Sequence, residues 1–141
     1  MKKLLFGLFA LTLLATSCKK DKDAPAVTKE NIAGTYKLMT VKVTINGSPE
    51  LDADDREDCE KDDLIKINAD NTFNYTDAGS VCDPAGDFNA TYALSGNDIS
   101  SEDYEGLNGT VTSFDGTNLE ITLSGTEGDM TYKVRTTFKK Q

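Results

Sequence analysis

The sequence predicts an all-β fold: an eight-stranded antiparallel up-and-down barrel behind an N-terminal leader and a flexible tether. Three observations lead there. Past the leader, helical periodicity is nearly absent, whereas apolar residues alternate with a period of two along repeated short runs. Turn residues separate the runs, among them Asn46-Gly47, Gly96-Asn97 and Asp115-Gly116. Most connections are also hairpin-length, and a meander with one apolar face either folds into a sandwich or closes on itself. Closure is favoured because it removes exposed edges.

The first strand is read over residues 34–45, with Tyr36 and Leu38 on one face and Met39, Val41, Val43 and Ile45 on the other. The slip in phase at Leu38–Met39 predicts a bulge or bend. Residues 48–63 form an acidic loop. The second strand is 64–67, residues 68–71 turn, and the third is 72–76, with Ile67 facing Phe73 and Ile65 facing Tyr75. The fourth, 87–95, places Phe88, Ala90, Tyr92 and Leu94 on one face. A weak fifth runs over 98–102 and a sixth over about 107–114. A seventh holds Leu119, Ile121 and Leu123, and residues 124–129 turn. The eighth alternates Met130, Tyr132, Val134, Thr136 and Phe138 with a partly basic outer face, which would discourage edge pairing if the strand is not fully covered.

Composition narrows the function classes. The 141 residues hold 15 Lys and Arg, 24 Asp and Glu and no His, for a net charge of -9. Without histidine there is no Ser-His-Asp or Cys-His catalysis and no His-ligated zinc or haem. The acidic balance argues against nucleic acid, which requires a basic face. No nucleophile motif or carboxylate pair in a cleft is apparent, so the expectation is a non-enzyme without a cofactor. The acidic run from Asp52 to Asp63 begins like a calcium loop but lacks the glycine and the closing spacing, and a solvated acidic face explains it more simply. Four Asn-x-Ser/Thr triplets, at Asn46, Asn74, Asn89 and Asn108, read as turn and strand residues.

Residues 1–17 have the form of a signal peptide: Lys2 and Lys3, then an apolar stretch from Leu4 to Ala15 that is shorter than the roughly 20 residues of a membrane span. Ala15-Thr16-Ser17-Cys18 resembles the lipobox of bacterial lipoproteins, with Ala15 where that family prefers Leu. The resemblance implies cleavage before Cys18 and its lipidation. It implies a place in the Gram-negative cell envelope, on the outer membrane at its periplasmic or surface face. An ordinary secretory signal with an incidental cysteine fits the same residues. Residues 18–29 read as the lipidated cysteine and a charged tether, and 30–141 as the barrel domain. Cys59 and Cys82 remain, an even pair in an oxidising compartment, and the 64–76 hairpin brings them within one residue of register at its open end. A disulfide follows.

Ile32-Ala33-Gly34-Thr35-Tyr36-Lys37-Leu38 resembles the opening G-x-W of lipocalins and their bacterial lipocalin-like relatives, with Tyr36 in place of Trp. The block from Cys59 to Phe73, Cys82, the run Tyr92–Asn97 and Leu119–Leu123 are similar to small lipocalin-like lipoproteins in order and spacing. The resemblance covers about residues 30–139 and implies an eight-stranded barrel on a lipid tether, with the aromatic closing the floor. It implies no established ligand. A buried Tyr36 also needs a partner for its hydroxyl, such as a backbone carbonyl.

Two functions fit these residues. In one, the barrel binds or carries a small apolar ligand, with Tyr36, Phe73, Tyr75, Phe88, Tyr92 and Tyr132 as candidate contacts and Tyr75, Tyr92 and Tyr132 as polar handles. In the other, the core is filled and the acidic 48–63 loop meets a basic protein partner on the envelope. Eight-stranded barrels support either arrangement.

Overall fold

The computed structural model describes residues 24–141. The expected signal peptide 1–17 and Cys18 lie outside the described residues, as does the start of the expected tether. A short helix, α1 (Lys29–Ile32), precedes β1 (Gly34–Ile45). There follow β2 (Leu51–Asp52), β3 (Leu64–Ile67), β4 (Thr72–Thr76), β5 (Phe88–Thr91), β6 (Ala93–Ser95) and β7 (Asp98–Ser100). The chain ends with β8 (Gly109–Phe114), β9 (Asn118–Glu127) and β10 (Met130–Lys140). Nine strands form an antiparallel, nearly closed barrel in the order β5-β4-β3-β1-β10-β9-β8-β7-β6, and β2 lies off this path against β1.

First and last strands pair along their length, from Tyr36 opposite Lys140 to Ile45 opposite Tyr132. The two ends of the strand order, β5 and β6, are separated by one residue, Tyr92. The expected fourth strand is therefore a single run that changes partner midway: its first half pairs with β4 and its second with β7. Tyr92 anchors the change. Its backbone N–H donates to the Asn71 carbonyl at 2.9 Å and its hydroxyl to the Asn68 carbonyl at 2.7 Å.

The β3–β4 register is the one the alternation requires, Ile67 opposite Phe73 and Ile65 opposite Tyr75. Along β1 the face assignment needs correction. A bulge between Leu38 and Thr40 leaves Met39 45% exposed. The strand then resumes with Val41 opposite Thr136 and Val43 opposite Val134, on the same inward side as Leu38 opposite Phe138. Two further boundaries differ. The 124–129 segment is mostly strand: β9 runs on to Glu127, paired with Met130, because backbone pairing does not need the apolar alternation missing there. Leu107 belongs to a 3-10 turn at 105–107, with β8 starting at Gly109. β10 is covered on both sides by β1 and β9, and Arg135 on its outer face pairs with Glu50 and Glu120.

The two ends of the barrel differ. The β3–β4, β6–β7 and β8–β9 turns and both termini of the described chain lie at one end, the floor. There Ile32, Tyr36, Phe73, Leu119 and Phe138 are fully buried or nearly so. Thr28 caps α1 through its hydroxyl at 3.2 Å and Val27 packs against the core, so the chain engages the barrel a few residues before position 30. The three long connections, 46–63, 77–87 and 101–108, all lie at the other end, the mouth.

Candidate functional site

A cavity of about 410 Å³ opens at the mouth. One wall comes from the sheet: Leu38 and Val41 of β1, Leu123 of β9, and Val134 and Thr136 of β10. These three strands hold 12, 10 and 11 residues, whereas β3 to β8 hold three to six. At about 3.3 Å per residue the long strands overhang the short ones. Their upper apolar layer, Val43, Val134 and Leu123 in register, has no strand opposite it, and Leu123 stays 37% exposed.

The facing wall is made by Tyr75 of β4 and by the mouth loops, which supply Asp55, Arg56, Glu60, Asp103, Tyr104, Glu105, Gly106 and Asn108. Tyr75 stacks on Phe88 at 5.0 Å between ring centroids and meets Tyr104 at 5.7 Å. Its hydroxyl donates to Asp63 Oδ2. Burial pushes the Tyr104 phenol up to about 12, and burial together with the Asp63 hydrogen bond raises Tyr75 further. Both are neutral hydroxyls at ordinary pH. Tyr104 lies across Gly106, where a Cβ would stand 2.6 Å from the ring.

Arg56 fastens the 46–63 loop to the rim. Its Nε and Nη2 donate to the two Asp54 carboxylate oxygens at 2.8 Å each, Nη2 also to the Leu38 carbonyl at 3.2 Å, and Nη1 to the Glu60 carbonyl at 3.3 Å. The bidentate hydrogen bond holds the Asp54 carboxyl below its usual range and raises the Arg56 guanidinium. The Cys59–Cys82 disulfide, with Cα atoms 5.4 Å apart, joins this loop to 77–87. Carboxylates hold the second loop, from within and from the first loop. Asp77 accepts from the Cys82 and Gly86 N–H groups, Asp63 from Ala78 and Asp62 from Ser80, all at 3.0 or 3.1 Å. The acidic residues here thus satisfy backbone donors, and among the described residues no three carboxylates or thiols converge as a metal site.

Of the six aromatic candidates, Tyr75 alone lines this cavity. Tyr36 and Phe73 are sealed in the floor, each 0% exposed, and the Tyr36 hydroxyl donates to the Ile32 carbonyl at 2.8 Å. Tyr92 closes the ring of strands near the floor. Phe88 supports Tyr75 from behind. Tyr132 lies over Gly125 on the β9–β10 hairpin, where a Cβ would stand 2.3 Å from its hydroxyl. The alternation did not reveal Tyr104, which sits in a loop with no period. Arg56 carried a faint signal, as one of two cations within the acidic 48–63 run.

A family model described as a lipocalin-like domain matches residues 32–137, from the α1 residue beneath the floor almost to the end of β10. The chain belongs to the lipocalin-like domain family. No curated protein and no solved structure matches it. Lipocalin-like proteins are generally non-catalytic binders, and this lipocalin-like domain presents its cavity where its long loops gather.

Proposed function

We propose that this lipocalin-like domain binds a small, largely apolar molecule in the mouth cavity while tethered to the cell envelope through a lipid on Cys18. The observation that carries the binding reading is the overhang of β1, β9 and β10. It leaves an apolar wall of Leu38, Val41, Leu123 and Val134 facing two tyrosines across about 410 Å³, a size suited to a small ligand. The floor below is solid side chain, so the ligand enters only the upper half of the barrel.

The lipobox resemblance supports the tether, and the geometry is compatible with it. The described chain enters at the floor, where Pro25 lies beside the β8–β9 turn at Gly116 and Val27 packs on the core. A tether from Cys18 then reaches the closed end, and the mouth points away from the membrane. The acidic 48–63 loop is less suited to a basic protein partner, because Glu50, Asp52, Asp54 and Asp58 each pair with a cation of this same chain.

The test is titration of the oxidised protein with a neutral, environment-sensitive naphthylamine dye. Saturable one-to-one binding is expected, lost in Val134→Trp, which fills the cavity, with the far-ultraviolet circular dichroism unchanged. Absence of saturable binding, or undiminished binding in the variant, overturns the reading. For the anchor, Cys18→Ala should release the protein from membranes; retention through an acylated N-terminus elsewhere would overturn it.

A further inference from the structure

We infer that the occupant of the mouth cavity is an amphiphile with a cationic end, a small hydrophobic amine, and that anionic amphiphiles such as fatty acids are disfavoured. This rests on the binding reading above and names the ligand class. The two walls of the cavity differ in kind. The sheet side, Leu38, Val41, Leu123 and Val134, carries no charged atom and receives an apolar body. The loop side is lined by four acidic residues, Asp55, Asp103 and Glu105 exposed at the rim and Glu60 with its carboxylate also accepting from the Glu57 N–H, against one guanidinium.

That guanidinium is not free to greet an anion. All three of its nitrogens already donate, through four of the five N–H groups, to the Asp54 carboxylate, the Leu38 carbonyl and the Glu60 carbonyl, and its charge is matched by Asp54. Asp55, Asp103 and Glu105 carry no ion pair among the described residues. An entering carboxylate therefore meets uncompensated negative charge, and an entering ammonium meets partners. The rings of Tyr75 and Tyr104, in tilted contact at 5.7 Å between centroids, add an aromatic surface of the polarity that attracts cations. In a half-open site with an effective dielectric between protein and water, several such carboxylates within reach separate a cation from an anion by about tenfold or more.

The experiment is calorimetry on the purified, disulfide-intact protein with decylamine, decanol and decanoate, which share one tail and differ in head charge. At neutral pH and low salt, decylamine should bind about tenfold or more tighter than decanoate, with decanol between. The gap should narrow in about 0.5 M salt. Asp103→Asn with Glu105→Gln should weaken decylamine about tenfold and leave decanol unchanged. Val134→Trp should abolish binding of all three, which separates the cavity from adsorption on the acidic surface. Decanoate binding as tightly as decylamine, decylamine indifferent to the double substitution, or amine binding surviving Val134→Trp would each overturn the inference. Binding of decanol without amine preference would leave the cavity reading standing and remove only the ligand class. Absence of saturable binding by all three would remove both.

Discussion

Lys140 reaches across the barrel floor to Tyr36: its ammonium lies 5.7 Å from the centre of the Tyr36 ring and donates to the Ala33 carbonyl at 2.7 Å. Its stem fills the space over Gly34, where a Cβ would stand 2.1 Å from the lysine Cε. The last strand is thereby tied to the entry of the first. Lys140→Met should keep the stem and lose the charge-assisted hydrogen bond and the cation–π contact, costing roughly 1–2 kcal/mol. A urea titration reads this as a lower midpoint at constant slope, and an unchanged midpoint would refute the role.

The buried phenols set the alkaline limit of stability. Burial raises Tyr36 and Tyr104 from the ordinary 10.0 to about 12, and raises Tyr75 and Tyr92 as well. In the unfolded chain these groups release their protons first, so the folded state loses ground as pH rises. Stability should hold up to about pH 10 and decline from there towards 12, and Tyr104→Phe should make that decline shallower. Denaturant titrations between pH 8 and about 12 test it; a decline already complete at pH 9 would contradict it.

On the acid side the Asp54–Arg56 pair contributes. The Asp54 carboxyl is held below its ordinary 3.8, chiefly by the Arg56 hydrogen bonds. Its stabilisation is present above about pH 4 and is lost as pH falls through the lowered folded value. Arg56→Gln should reduce stability at neutral pH by roughly 2 kcal/mol, since both side chains are at least four-fifths covered, and should flatten the acid limb. Equal slopes for wild type and variant below pH 4 would argue against it.

The disulfide spans a sequence separation of 23, so its removal by Cys59→Ser with Cys82→Ser should cost about 3 kcal/mol. Because the bridge joins two mouth loops and leaves the floor untouched, hydrogen exchange should quicken at 53–63 and 77–87 before it quickens at β9 and β10. Uniform acceleration would show that the staple acts on the whole barrel.

Gly109 opens β8 at φ +138, and a Cβ there would stand 2.4 Å from the Thr122 carbonyl oxygen of β9. The obstacle is backbone and cannot turn aside. Gly109→Ala should cost about 2 kcal/mol or more, whereas Gly125→Ala, whose nearest neighbours are the hydroxyl and ring of the Tyr132 side chain, should cost less. Thermal unfolding of the two variants side by side gives the comparison.

Alternation and turn chemistry sufficed for the β3–β4 hairpin. Ile65, Ile67, Phe73 and Tyr75 carry their facing in a period of two, and the turn between them sets the register. The same local signals placed Cys59 near Cys82 and put Tyr36 in the core. They located a bulge at Leu38–Met39 but assigned Val41 and Val43 to the wrong side of it, because a bulge reverses the phase without marking which residue is extra.

What the chain's local pattern settled is the facing of residues within each uninterrupted strand and the place of most turns, since steric alternation along a strand needs no knowledge of distant partners. What required the folded barrel is where the strands meet and how far each extends. The ring closes because β1 finds β10 and the run through Tyr92 exchanges β4 for β7, pairings between residues far apart in sequence. The cavity exists because three long strands outrun the others. Arg56 and Tyr104 belong to it because loops without periodicity are positioned by a disulfide, an ion pair and buried carboxylates, whose partners become neighbours only when the barrel forms.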